Sequence, residues 1–113
     1  MTMFLITFPA AAMVVPAEEM AAVDRAAHAV IAHAKAEGVY VFAGGIDGGV
    51  PPVRVSADGT VTQGGYPAAR PLDSGFAVLE LPSHETALSW AARFARACRC
   101  DQELRAFGFD PAA

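Results

Sequence analysis

A histidine in the middle of a helical segment is the residue of this chain best suited to acid–base chemistry. Four polar residues recur at helical spacing on one side of that segment, away from its apolar stripe: Asp24, Arg25, His28 and Lys35. Because an imidazole titrates near neutral pH, His28 at the border of a cleft could shuttle a proton. Arg25 would then hold an anionic substrate group with its planar guanidinium. The alternative interpretation is an ordinary solvated helix face.

A catalytic imidazole also needs a carboxylate that fixes its orientation. Asp24 is poorly placed for this role, because it lies next to Arg25 and four residues before His28. Asp47 and Asp73 belong to loops that can fold over the helix. The sequence therefore predicts His28 and Asp73 as the catalytic pair, with Asp47 as a ligand-binding residue.

The turn-rich stretch 63–74 carries a second set of candidate residues. Tyr66 and Arg70 place one aromatic ring and one cation in a loop rich in Gly and Pro. Such a loop can line a small-molecule pocket, so Tyr66 and Arg70 are predicted to bind ligand. The alternative is a packed surface loop in which Tyr66 covers the core.

Other kinds of site are not indicated. Cys98 and Cys100 form at most half of a zinc site, and the histidines do not follow at a zinc-finger spacing. The glycines at 44–49 are not followed by Lys-Ser/Thr or by a helix that would support a phosphate. We expect neither a metal nor a cofactor, and reduced thiols that fit a cytoplasmic location.

Composition limits the class of protein. The chain has 113 residues, 54% hydrophobic and 18% charged, which suits one folded domain over residues 1–113 with a loose tail at about 109–113. Its net charge of −4 argues against a nucleic-acid partner. The apolar start has no basic region, and no apolar run is long enough to cross a membrane, so no membrane partner is expected.

Periodicity and turn signals predict the elements that must position these residues. The predicted strands of the main sheet are 2–8, 39–46, 75–81 and 102–107. The segments 53–56 and 60–62 are predicted to form a hairpin around Asp58-Gly59. A helix follows Pro16 and ends near Gly38, and a second one begins after Ser83, with Trp90 at the margin of its buried stripe. This order predicts an α+β fold of the ferredoxin-like, split βαβ type with an antiparallel sheet.

A fold of this type covers only one face of its sheet with helices. The candidates to populate the other face are four phenylalanines: Phe8, Phe42, Phe76 and Phe107. An apolar face of this kind needs cover, and a second copy of the chain packed sheet to sheet would supply it. A homodimer is therefore expected.

Several short motifs resemble the YCII-related proteins and their DGPF branch. Arg25-Ala-Ala-His28, Gly38 and the strand VYVFAGG are similar to the Arg-x-x-His…Gly…Ala-Gly pattern of that family. The stretch 61–76 resembles the DGPF signature region, and the segments 83–94 and 103–107 resemble the last helix and strand. Asp-Gly-Pro-Phe appears here as QGGY at 63–66, and the Lys-Glu pair as Arg70-Pro71.

The resemblance implies a dimeric α+β barrel with a cleft near the subunit interface. A His-Asp dyad is proposed as the active site of the YCII branch, and only its histidine has a counterpart, His28. The expected function is binding of a small organic molecule in a cleft near the dimer interface, with weak acid–base catalysis through His28 as an extension. The alternative is a non-catalytic regulatory or structural protein that works through its dimer surface. Gln63 stands where the family signature has an aspartate, and this difference would fit the loss of an ancestral activity in this chain.

Overall fold

The computed structural model describes residues 1–113 and shows a mixed α+β chain. The elements in chain order are β1 (Thr2–Thr7), α1 (Met20–Ala36), β2 (Tyr40–Gly45), β3 (Val53–Val55), β4 (Val61–Gln63), β5 (Gly75–Leu81), α2 (His84–Cys98) and β6 (Glu103–Ala106). Two short 3₁₀ turns, Ala10–Ala12 and Ala17–Glu19, lie between β1 and α1.

The main sheet has four strands in the order β2-β5-β1-β6, and every neighbouring pair is antiparallel. Strands β1 and β2 therefore run in the same direction with β5 between them, and β5 and β6 run in the same direction with β1 between them. Each of these pairs is joined by one helix. Two interleaved split βαβ units of this kind define the ferredoxin-like plan, so the predicted fold class is confirmed.

The ends of both helices follow local sequence signals. Gly38 lies just beyond α1 with φ of 74°, a left-handed conformation that glycine adopts without a steric penalty. Ser83 caps α2, because its Oγ accepts a hydrogen bond from the Thr86 N–H at 3.1 Å. Arg99 ends α2 in the left-handed region, and its Nη1 donates to the Glu19 carboxylate at 2.7 Å. That ion pair joins the end of α2 to the turn before α1.

The hydrophobic core lies between the helices and one face of the sheet. Alternate residues of β1 and β5 point into it, because side chains alternate between the two faces of a strand. The buried core cluster consists of Phe4, Ile6, Ala34, Ala77, Leu79, Leu81, Ala87, Trp90, Ala91 and Phe94. Trp90 is only 2% exposed, so its predicted marginal position is wrong. Its ring is covered on one side by the Arg93 guanidinium, 4.3 Å from the ring centroid.

The opposite face of the sheet carries no helix, and we call it the open face. Strand register assigns it the following apolar residues: Met3, Leu5, Phe42, Phe76, Val78 and Phe107. The Phe42 and Phe76 rings lie 5.8 Å apart, and Phe42 remains 51% exposed. Phe42, Phe76 and Phe107 thus lie where the sequence places them. Phe8 does not, because alternation from Ile6 directs it toward the helices.

The β3–β4 hairpin forms its own two-stranded sheet and does not extend the main one. Three of its valines are largely exposed: Val53, Val55 and Val61. The chain measures 44 × 43 × 21 Å and has a radius of gyration of 15.8 Å, whereas about 13 Å is usual for a compact domain of this size. The hairpin is therefore an arm beside the domain. None of the helices combines the length and apolar content needed to cross a bilayer.

Candidate functional site

A cleft of about 280 Å³ lies between α1 and the ends of strands β1, β2 and β5, and we call it the helix-side cleft. Most of its lining is apolar and comes from both layers of the domain, chiefly Ile6, Val23, Ala27, Ile31, Ala43 and Phe94. Two glycines leave this space open, because Gly45 and Gly75 have no side chain that would extend from the sheet into the cleft. No heavy atom lies within 4 Å of the position that a Cβ on Gly45 would occupy.

Four residues bring polar groups to this apolar cleft. Asp24 and His28 lie one helical turn apart on α1, and both border the cleft, although each is exposed to solvent. Gln102 enters from the α2–β6 connection, where its Nε2 donates to the Cys100 carbonyl at 3.2 Å. The side-chain oxygen of Gln102 can accept a hydrogen bond, and the structure gives it no partner within the chain. Cys98 completes the set.

The surroundings of the Cys98 thiol favour its protonated form at neutral pH. Burial raises its pKa to about 11, and the negative charges of a Cys100 thiolate and of Asp24 act in the same direction. Burial also raises the pKa of the Cys100 thiol. Because the thiolate is the reactive form, the raised pKa makes each sulfur less reactive than an ordinary free cysteine. No group of three or more His, Cys, Asp or Glu side chains is gathered in a geometry that could hold a metal ion.

A second cleft of about 260 Å³ opens on the other side of the sheet, and we call it the sheet-face cleft. Its apolar floor includes Leu5 of the open face and Leu72 of the loop before β5. Its lining is more polar than that of the helix-side cleft and includes Thr7, Arg70, Asp73, Glu103 and Arg105. Thr7 is buried there, and its Oγ1 donates to the Gly75 carbonyl at 3.0 Å.

Glu103 connects the charged groups of the sheet-face cleft. Nη2 of Arg70 donates to both of its carboxylate oxygens, at 2.5 and 2.7 Å, and Nη2 of Arg105 donates to Oε2 at 3.3 Å. The hydrogen bond from Arg70 is the main reason why the pKa of Glu103 lies below its ordinary value of 4.5. The same contact raises the pKa of Arg70.

Replacing Arg70 with glutamine is expected to raise the pKa of Glu103 toward its ordinary value. A depressed folded-state pKa means that the ion pair stabilises the fold above the unfolded pKa and that this contribution is lost as the pH falls through the folded pKa. The carbonyl-region ¹³C shift of the Glu103 side chain, followed between about pH 2 and 7, measures the change. Arg96→Gln is the control, because Arg96 is exposed on α2. An unchanged Glu103 titration in the Arg70 variant would contradict the assignment.

The structure does not bring the predicted catalytic pair together. His28 borders the helix-side cleft, whereas Asp73 borders the sheet-face cleft. The Asp73 Oδ1 accepts a hydrogen bond from the Ala10 N–H at 3.0 Å, so its loop folds back on the β1–α1 connection and does not cover α1. Asp24, which sequence reasoning set aside, is the carboxylate that shares a cleft with His28.

The other predicted ligand-binding residues divide in a similar way. Arg70 borders the sheet-face cleft. Arg25, Asp47 and Tyr66 border neither cleft. Asp47 caps its own turn by accepting from the Gly49 N–H at 2.8 Å, and Tyr66 is 75% exposed with the Arg54 guanidinium 5.6 Å from its ring centroid.

Three polar residues of the clefts escaped the sequence prediction: Gln102, Glu103 and Arg105. The signal for two of them was present, because Glu103 and Arg105 alternate with Leu104 and so share one face of the last strand. Nothing in the sequence showed that this face meets the loop carrying Arg70.

The fold and its two clefts define a small ferredoxin-like α+β protein with one helix-covered sheet face and one open face. No protein-family model and no curated protein matches the sequence.

Proposed function

We propose that this protein binds a small organic molecule in the helix-side cleft and acts as a homodimer that buries the open face. The observation that carries the proposal is the helix-side cleft itself: an apolar hollow with a few polar groups at its border. Sites for small ligands have this character, with apolar walls for affinity and a few polar groups for orientation.

The dimensions and lining of the cleft specify the class of ligand. A volume of about 280 Å³ suits a small aromatic or branched aliphatic molecule. The apolar body of the ligand lies against Ile31, Ala43 and Phe94. One hydroxyl or carbonyl group of the ligand reaches the polar border formed by Asp24, His28 and Gln102. A small phenol has this combination of groups.

The environment of His28 favours binding over catalysis. The His28 ring is exposed, and no carboxylate is hydrogen-bonded to it. General base catalysis needs a base within hydrogen-bond reach of the proton and an orienting partner. His28 accordingly acts first as a hydrogen-bonding group for the ligand, and acid–base chemistry would require Asp24 to orient the ring. The resemblance to the YCII-related proteins supports His28 as the polar residue of the site.

The open face supports the dimer and also a second candidate function. Its apolar side chains form one continuous surface on the central strands, a feature of interaction sites on folded proteins. A second copy of the chain offers the same apolar surface, and sheet-to-sheet packing would bury both. The second candidate is therefore a regulatory or structural protein that works through this dimer surface without using a ligand.

Filling the helix-side cleft tests the proposed function. Gly45 lies on the helix-facing side of β2, because it continues the alternation of Ala43, and a side chain there would enter open space. We expect Gly45→Leu to weaken binding of the probe 4-methylphenol by about tenfold or more while the chain stays folded. Amide chemical shifts of Ala27, Ile31 and Ala43 report the binding.

The matched control is Gly48→Leu, at a loop glycine that borders neither cleft and whose added Cβ would also meet no atom. This variant should bind 4-methylphenol like the wild type. Shifts confined to residues of the open face, or equal shifts in the wild type and Gly45→Leu, would remove the helix-side cleft as the site. The dimer-surface function would then be favoured.

A further inference from the structure

We propose that the sheet-face cleft is a second ligand site, which binds the carboxylate group of a small organic acid through Arg70 and Arg105. This second site does not depend on the helix-side cleft, because the two clefts lie on opposite faces of the sheet and have different polar groups. The sheet-face cleft adjoins the open face at Leu5, beside the edge strand β6.

The hydrogen bonds of the two arginines leave most of their donors available. A guanidinium carries five N–H donors, and here each arginine reaches Glu103 through Nη2 alone. The Nε and Nη1 donors of Arg70 and Arg105 have no partner within the chain. A planar pair of such donors matches the two oxygens of a carboxylate.

Three of the four charged side chains of the cleft form one group around Glu103. Glu103 neutralises one of the two guanidinium groups that it contacts, and this group of three keeps one positive charge. Asp73 is the other charged residue of the cleft, and its Oδ1 is engaged by the Ala10 N–H. With Asp73 counted, the four charges sum to zero, so recognition of a carboxylate depends on the directed arginine donors and not on net charge.

The arginines are held by two separate parts of the fold. Glu103 and Arg105 belong to β6, whose register with β1 places them opposite Thr7 and Leu5. Arg70 belongs to the loop that Asp73 ties to the start of the β1–α1 connection. Positions fixed in this way need little reorganisation when a ligand binds. Leu5 and Leu72 provide apolar contact for the body of the acid.

Benzoate and its neutral counterpart benzamide are the probes, because they differ only in the group that the arginines would recognise. In amide NMR titrations of the full chain, benzoate is expected to shift Leu5, Thr7 and Leu72, and benzamide is expected to bind about tenfold more weakly. Arg105→Gln and Arg70→Gln should each weaken benzoate binding by about tenfold. Arg96→Gln, at an exposed arginine outside the cleft, should leave it unchanged.

A further variant distinguishes ligand binding from a purely structural ion pair. Glu103→Gln removes the carboxylate that competes for the two guanidinium groups, so benzoate should bind more tightly than to the wild type. Equal binding of benzoate and benzamide, unchanged benzoate affinity in Arg105→Gln, or weaker benzoate binding in Glu103→Gln would each overturn the proposal. Size-exclusion chromatography of every variant verifies that assembly is unaltered.

Discussion

Replacing Trp90 with alanine is expected to lower the free energy of unfolding by about 3–5 kcal/mol. Trp90 is 2% exposed and belongs to the single buried core cluster, so its removal leaves a cavity that the neighbouring side chains fill only in part. Domains of this size are stable by about 5–15 kcal/mol, so the loss is a large share of the total. Urea unfolding followed by far-UV circular dichroism measures it, because Trp90 is the only tryptophan.

Two other variants bracket this result. Trp90→Phe keeps much of the apolar volume and should cost about 1–3 kcal/mol, which preserves a measurable transition if the alanine variant is unfolded. Leu88→Ala removes a leucine that is 51% exposed on the outer side of α2 and should change stability by about 0.5 kcal/mol or less. Equal losses from Trp90→Ala and Leu88→Ala would show that Trp90 does not hold the core together.

Replacing Val78 with lysine is expected to weaken the proposed homodimer by about 100-fold or more. Val78 lies at the centre of the open face, paired with Leu5 of β1 and with Phe42 of β2. In a sheet-to-sheet dimer the lysine ammonium would be withdrawn from water among the apolar side chains of two open faces, at a cost of several kcal/mol. In the monomer the same group reaches water, so the fold itself is kept. Sedimentation equilibrium over a range of protein concentrations measures the association.

Leu88→Lys is the control for charge and for loss of an exposed apolar group, because it makes the same kind of change on the helix layer. It should leave association unaltered. A wild-type protein that is monomeric at concentrations of about 100 μM, or a Val78→Lys variant that associates as the wild type does, would contradict burial of the open face by a second copy.

The fold could be predicted from the sequence because its signals are local and agree with one another. Proline and glycine end the segments, Ser83 caps α2, and the apolar periods change from two to about 3.6 at the boundaries. The strand bounds differ from those predicted by at most one residue at either end, and those of β5 are the same. Alternation along β1 could also have assigned Phe8 to the helix side, since it shares the parity of Ile6.

The candidate site was harder to predict, because it depends on how the loops fold. His28 borders the helix-side cleft together with Val23 and Ile31, although helical spacing placed it away from their apolar stripe. Helical spacing also could not show that the loop carrying Asp73 turns to the opposite face of the sheet. Long-range hydrogen bonds hold that turn, from the Ala10 N–H to Asp73 and from Arg70 to Glu103. Trp90 was misplaced for a related reason: the width of the buried side of α2 depends on how closely α1 approaches, which the sequence of α2 alone does not specify.

The position of β1 at the middle of the sheet has a consequence for synthesis of the chain. Thr2 pairs with Leu81, and Thr7 pairs with both Phe76 and Glu103, so β1 has no partner strand until β5 has been translated. Closing loops of this length costs chain entropy and slows folding. During synthesis the apolar strand β1 therefore stays unpaired until β5 has been translated. Unpaired apolar strands are prone to aggregate over such an interval.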